Sequence, residues 1–420
     1  MINYEDALKI ILNNVRSMDT EEKQLLRARG QVLAEDIYAG IDLPGMASSG
    51  PDGYAVRSAD IQGADKQNPV ILRIIETARA GRLPQKNVTP GTAIRIMTGA
   101  VLPAGADCVV RFEDTDEPEN KNGPNKLNPQ IVKIYVTAKP GTNVRPVGSN
   151  LKKGSVVLSQ GTVIGPAQIS IMTLIGQTNV KVHRRPVIAV IATGDELAKP
   201  GSTLSAGKTW DANTGAVTAL VSHFGGIPRI LGFARDNEVS LTRKILRAMT
   251  ADVIITSGGV SKGDYDLVRL VLAQLGELHF ARIKMGPGAS FAFGTVGNDT
   301  QKTIPFFALS GPPWGCLINF ETLVRPALLK MLGRTDVDHP VVEAVATDAI
   351  TDKKPMSFVK WTLLKKVGGR YHVTLNLPDS SGAFFASAAA NSLTIIPAGN
   401  MVQPGDKIPV LPLDWDVNPV

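Results

Sequence analysis

Reactive side chains are scarce in this chain. Only two cysteines and five histidines occur among 420 residues. Cys108 and Cys316 lie far apart with no histidine nearby in sequence, so neither a disulfide framework nor a zinc site has support. Both thiols read as buried small hydrophobes. His183, His223, His279, His339 and His372 lack motif context, so no Ser/His/Asp or Cys/His nucleophilic set assembles. Aromatic residues make up 5% of the chain. The densest basic cluster, Lys181, His183, Arg184 and Arg185, contains none of them, so it reads as a solvated strand edge and nucleic-acid binding is not expected. No apolar run approaches the roughly 20 residues needed to span a bilayer. The amphipathic start, with acids at Glu5 and Asp6, is unlike a signal peptide. A cytoplasmic location without membrane association is therefore expected. No P-loop or GxGxxG follows a strand, and no solenoid-length repeat is visible.

With 43% hydrophobic and 20% charged residues, the composition is that of a globular chain. The length exceeds the roughly 250 to 300 residues at which single cores stop growing, so several domains are expected. A formal charge of +7 favours anionic ligands through the long-range field.

The spacing predicts a helix over 3–16, capped by Asn3, with Ala7, Leu8, Ile11, Leu12 and Val15 on one stripe. From about 41 to 150 come short β runs, VILRIIET, TAIRIM, DCVVRF and IVKIYV, split by Gly/Pro/Asn turns. The polar stretch 114–129 among them reads as a long exposed loop. A turn at Gly154, a β run over 155–158 and a helix from Pro166 stopping at Gly176 follow. From 186 the runs VIAVIAT, PRILGFA, DVIITS and IPFFALS alternate with helical stretches, the βαβ signature of a parallel, helix-covered sheet. After Gly333 β character returns, as a small barrel or sandwich.

In such a sheet, ligands sit beyond the carboxyl ends of the strands. VIAVIAT leads into Gly194, Asp195 and Glu196, two adjacent carboxylates at that edge; the plain alternative is that Asp195 caps a turn and Glu196 is solvated. DVIITS leads into 257–266, where Gly258 and Gly259 let backbone N–H groups approach a ligand and Ser257 and Ser261 add donors. The loop suits a phosphate, or it is a mere connector. Asp264 and Asp266 read as helix-start acids, yet acids beside a phosphate make electrostatic sense with a cation between them, which points to Mg²⁺. Asp211 and Asn213 precede a helix, where capping is the default role. Gly311 and Pro312 open another helix and can position backbone donors. Spacing alone singles out neither Asp52 nor Thr98.

At these same loops the sequence resembles the MoeA family, which includes the E domain of gephyrin. The resemblance runs nearly end to end and is carried by VLAEDIYAGIDLPGMASSGPDGYAVR, RIMTGAVLPAGADCVV, GTNVRPVGSNLKKG, IATGDELAKPG, DVIITSGGVSKGDYD, FAFG and SSGAFFASAAANSLTIIPAG. It implies a multidomain α/β plus β fold: a connecting domain over 1–44 and 146–180, an inserted small β module over 45–145, a MogA-like α/β domain over 181–333 and a C-terminal β-barrel over 334–420. It implies a homodimer in which one subunit's α/β domain faces the other's β module. It also implies the chemistry: adenylylated molybdopterin and molybdate bind, AMP leaves with Mg²⁺ assistance, and molybdenum enters the pterin. Carried over by position, Asp52, Thr98, Glu196 and Asp266 are the catalytic set, with Asp195, Glu196 and Asp266 on the metal. The substrate-binding set is Asp195, Asp211, Asn213, Asp236, Ser257, Gly258, Gly259, Ser261, Lys284, Gly311 and Pro312. A MogA-type adenylyltransferase is the expected partner.

Four loops depart from the family's pattern. Gly50-Pro51 precede Asp52 where Ala-Met is usual, and Ser149-Asn150 replace two carboxylates. Ala289-Ser290 replace Lys-Pro, and Ser310-Gly311-Pro312 replace Pro-Gly-Asn. All face the ligand, so losing charged partners there opens two alternatives: a paralogue of changed metal or pterin specificity, tungstate included, or a non-catalytic pterin-binding scaffold.

Overall fold

The computed structural model describes residues 1–117, 130–258, 267–297, 303–351, 353–377 and 383–414. Its contacts divide the chain into two compact units. One comprises Met1–Glu35, Gln160–Ile169 and Thr178–Val420, the other Asp36–Ser159 and Ser170–Gln177.

The second unit holds a five-stranded sheet of β1 (Gly53–Val56), β2 (Val70–Ala78), β3 (Thr92–Ile96), β4 (Cys108–Arg111) and β5 (Ile131–Ile134), ordered β4-β1-β3-β2-β5. The four β runs read from the sequence are all strands. Because side chains alternate across a strand, Tyr54 and Val56 enter one core with Cys108 and Val110, while Ala55 enters another with Ile94 and Val109. Gly53 is dictated by backbone approach: a Cβ there would stand 2.9 Å from the Val110 carbonyl carbon. The polar stretch 114–129 is described only as far as Glu117; 118–129 lie outside the described residues.

The first unit is built on a six-stranded sheet: β6 (Val187–Thr193), β7 (Ile227–Ala234), β8 (Val253–Ser257), β9 (Gly276–Phe280), β10 (Ala292–Val296) and β11 (Ile304–Leu309), ordered β7-β6-β8-β11-β10-β9. The strands from β7 to β11 in that order are parallel, as the βαβ rhythm requires. The hairpin β9–β10 is added antiparallel, which the sequence reading missed. Glycines interrupt its apolar pattern and serve contact instead: a Cβ on Gly276 would lie 2.7 Å from the Val296 Cα. Strand β6 is apolar throughout because both its faces are covered. Ile188 and Val190 pack on one side with Val217 and Val221 of the helix Asn213–His223. Ala189 and Ile191 pack on the other with Leu241 and Ile245 of the helix Glu238–Ala248. Asn237 caps that second helix, its Oδ1 accepting the Ser240 N–H at 2.9 Å.

The N-terminal helix spans Tyr4–Asn13 and buries Ala7 and Ile11. Asn3 stands at its N-cap, but its side chain makes no capping bond; the Asn3 carbonyl accepts the Ala7 N–H at 3.0 Å instead. The basic cluster also departs from expectation. Asn179–His183 pairs with Thr20–Gln24, and the Arg184 guanidinium grips Asp252 with two bonds of 2.7 and 2.8 Å. Arg184 is a structural fork and not part of a solvated edge.

After Gly333 the chain forms a closed five-stranded barrel, β12 (Val342–Ala346), β13 (Ser357–Val367), β14 (Arg370–Thr374), β15 (Ser392–Ile396) and β16 (Lys407–Pro412). Its order is β13-β14-β12-β16-β15, with β13 also pairing β15. The barrel reading holds over the sandwich.

Both cysteines are fully buried. Burial pushes each thiol up to about 12, so neither ionises near neutral pH. A thiol-specific disulfide reagent at pH 8 is expected to modify no cysteine of the native chain and two after denaturation.

Candidate active site

Strand β6 runs out at Gly194 (φ +151°), after which Asp195 and Glu196 are both exposed. The Asp195 N–H donates to Asp236 Oδ2 at 3.1 Å. Asp236 is an exposed acid two residues beyond β7, so the loops after β6 and β7 are tied together. The Glu196 carboxylate folds back on Gly194, where a Cβ would meet its Oε1 at 2.6 Å, and the Glu196 carbonyl accepts the Thr209 N–H at 2.9 Å. The Lys208 ammonium donates to the Asp195 carbonyl oxygen. The loop is thus fixed by its backbone and displays its carboxylates.

The next loop packs directly on it. Ser257, buried, ends β8, and Gly258 follows with φ +86°. A Cβ on Gly258 would strike Thr193 Oγ1 at 2.9 Å, the same hydroxyl that donates to the Ser257 carbonyl at 3.1 Å. Contrary to the sequence expectation, the Gly258 N–H is not left for a ligand: it donates to Leu309 O at 3.1 Å, and a Cβ on Gly311 would lie 3.8 Å from the Gly258 Cα. Three loops after β6, β8 and β11 therefore meet at glycines, as ligand edges of such sheets do. Gly259, Ser261 and Asp266, together with Asp264, lie outside the described residues.

Asp211 is buried and its Oδ1 accepts the Thr214 N–H at 3.1 Å, the capping role that was the default. Asn213 is buried and turns toward the site: its Nδ2 donates to Gly311 O at 2.8 Å, while its Oδ1 has no hydrogen-bond partner among the described residues. Gly311 and Pro312 are exposed, and the Pro312 carbonyl accepts from Gly315 and Cys316, each at 3.0 Å. Lys284 is exposed, and its backbone N–H donates to Ile2 O at 2.8 Å.

One structural residue of this edge escaped the sequence reading. Asn319, wholly buried, donates from Nδ2 to Gly288 O at 2.9 Å and accepts the Ser310 N–H on Oδ1 at 3.0 Å. It laces together two of the loops that depart from the family pattern. Those departures also meet each other, since Ser310 Oγ donates to Ser290 O at 2.9 Å. The available signal was a lone amide inside the apolar run CLINFETLV.

In the second unit, Asp52 and Thr98 come together across 46 residues. Asp52 Oδ1 accepts both the Thr98 N–H at 2.7 Å and the Thr98 hydroxyl at 2.8 Å. Both residues are exposed, so a carboxylate is held in fixed orientation facing solvent.

Asp195 and Glu196 offer only oxygen donors, the type that Mg²⁺ takes, and their chemistry fits that ion. Among the described residues no group of three or more His, Cys, Asp or Glu side chains is clustered for metal binding. The third acid of the expected set, Asp266, lies outside them. No helix among the described residues is long and apolar enough to cross a membrane.

Residues 2–176 match the family model of the MoeA N-terminal region (domain I and II). The chain is 34% identical over 423 residues to the molybdopterin molybdenumtransferase of Nostoc sp., covering 98% of this chain and 94% of the relative. The chain belongs to the MoeA family of molybdopterin molybdenumtransferases. As a MoeA protein it is an enzyme of molybdenum cofactor biosynthesis. Its residues 189–330, which hold the sheet and the three glycine loops, match a probable molybdopterin binding domain. A second MoeA relative, the molybdopterin molybdenumtransferase of Staphylococcus aureus, is 34% identical over 95% of this chain and 92% of its own. Two crystal structures of molybdopterin biosynthesis MoeA proteins from Pyrococcus horikoshii have the same fold. One is 31% identical with a TM-score of 0.82, covering 98% of this chain and 99% of the other. The second is 27% identical with a TM-score of 0.80, covering 98% and 100%.

Proposed function

We propose that this chain, acting as a cytoplasmic homodimer, inserts molybdenum from molybdate into adenylylated molybdopterin and releases AMP. The observation that carries the reading is the meeting of an acid-bearing loop, Asp195 and Glu196, with the glycine turn at Gly258. A fixed backbone at the turn, with the Ser257 hydroxyl beside it, suits a phosphate group, and two negative side chains nearby need a cation between acid and phosphate. Asp195 and Glu196, with Asp266, would hold Mg²⁺. When bound, that ion supplies charge neutralisation at the phosphoanhydride. The remaining work falls to the chain's own groups. Ser257 would cradle the phosphates with Gly259 and Ser261, Gly258 shaping the turn with its N–H already given to Leu309 O, and Asn213 fixes Gly311 and Pro312 along the same edge. Lys284 and Asp236 serve the substrate's charged periphery. Asp52, oriented by Thr98, receives donors of the pterin and oxyanion end. The adenylylated pterin would come from a MogA-type adenylyltransferase.

A changed anion preference is favoured by Ala289, which stands where the family resemblance expects a lysine, so this edge carries one cation fewer for an oxyanion. The test treats both readings together. Purified enzyme given adenylylated molybdopterin and Mg²⁺ is expected to release AMP when molybdate is added, and chelating the Mg²⁺ abolishes release. No AMP with either oxyanion would overturn the reading; AMP with tungstate but not molybdate would replace the metal while keeping the reaction.

A further inference from the structure

The strands that carry Asp52 and Thr98 are cross-linked just behind them by one side chain. Tyr54 on β1 and Arg95 on β3 are register partners. Asp52 lies two residues before Tyr54, and Thr98 three residues after Arg95. Glu117 reaches both strands, one carboxylate oxygen to each. Its Oε2 accepts the Tyr54 hydroxyl at 2.5 Å. Its Oε1 accepts Arg95 Nη2 at 2.6 Å and Nε at 3.2 Å.

Glu117 is itself held in place. Its N–H donates to Thr115 Oγ1 at 3.1 Å, and that hydroxyl donates to Phe112 O at 2.8 Å. The Asp116 N–H donates to Lys133 O on β5 at 3.2 Å. The cluster is also packed: the Phe112 ring lies 4.5 Å below the Arg95 guanidinium and edge-on to Tyr54 at 5.5 Å between centroids. Tyr54 is 1% exposed, and the Glu117 side chain 11%. The Arg95 side chain keeps 27% exposure, and in a partly buried cluster of this kind charge-assisted bonds have fixed directions. Burial and the Glu117 carboxylate raise the Tyr54 phenol above its ordinary range, so its proton stays committed to the bond.

We propose that Glu117 is a positioning residue for metal insertion: by gripping Tyr54 and Arg95 on strands already paired by their backbones it fixes the orientation of the Asp52–Thr98 pair without touching substrate. This rests on the functional reading above, in which that pair serves the pterin and oxyanion end. Misplacement of a reacting group by even about 1 Å can cost rate heavily. Substrate binding depends on many other groups, so the loss falls on kcat.

The test is a double-mutant cycle in the full-length enzyme, built from Glu117→Gln and Asp52→Asn. Glu117→Gln keeps the shape but removes the charge that holds Arg95. It is expected to lower kcat about tenfold, with KM changed less than about twofold and the melting transition retained. In the Asp52→Asn background the same change is expected to cost less than about twofold, because the group it positions is already disabled. Tyr54→Phe removes only the hydroxyl, leaves the ring packing and is expected to show a smaller loss with the same non-additivity, which covers the case that Glu117→Gln fails to fold. Losses that multiply across the cycle, or full activity in Glu117→Gln and Tyr54→Phe while Asp52→Asn is impaired, overturn the positioning role. Full activity of Asp52→Asn alone would remove the functional reading beneath it.

Discussion

Replacing Asp52 by asparagine is expected to lower molybdenum insertion about a hundredfold while leaving the fold and its stability unchanged. The asparagine keeps an Oδ1 that can accept both Thr98 bonds, at 2.7 and 2.8 Å in the native chain, so orientation survives and only the charge is lost. Both residues are exposed, and exposed substitutions rarely move stability by more than about 0.5 kcal/mol. Thr98→Val is the complementary change. It deletes the hydroxyl but keeps the backbone N–H, so Asp52 retains one of its two bonds to Thr98, and a loss of about tenfold is expected. The check is single-turnover kinetics on both variants beside thermal melting. A hundredfold loss accompanied by a collapsed melting curve would assign Asp52 to folding instead.

The second large effect concerns Asn319. Asn319→Ala strands the Ser310 N–H and the Gly288 carbonyl in a buried region, and each unsatisfied group costs about 1–3 kcal/mol. It also leaves a cavity where Gly288, at φ +106°, had come so close that a Cβ would lie 2.6 Å from Asn319 Nδ2. A loss of about 3 kcal/mol is expected, read as a lower urea midpoint for the transition of the unit that holds the α/β sheet. Activity falls as well, because the loops at 288–290 and 310–312 lose their common tie. Unchanged unfolding in Asn319→Ala would show that these loops are held by other means.

How much of this was legible beforehand depended on how local each signal is. The run VIAVIAT reads as a buried parallel strand because both faces of β6 meet apolar cores, and the loop that follows such a strand falls at the ligand edge by topology alone. The β-barrel and the β module were legible in another way, as short β-type runs broken by Gly and Pro turns. The hairpin β9–β10 was not, since its glycines serve backbone contact and interrupt the apolar run. Arg184 was misread because its partner, Asp252, is 68 residues away. Asn319 and Glu117 act on Gly288 and Tyr54 across 31 and 63 residues; the lone amide in its run was the single local mark of Asn319, and Glu117 had none. Asp52 and Thr98 were picked out through family resemblance only. Their mutual bond across 46 residues gives that choice a geometry it did not have from spacing.

The most direct measurement is the molybdenum content of the pterin after one turnover, taken alongside AMP. Purified wild-type enzyme supplied with adenylylated molybdopterin, Mg²⁺ and molybdate should yield one molybdenum bound per pterin for each AMP released. AMP released without metal entering the pterin, or a metal-free pterin that keeps its adenylyl group, would contradict the account.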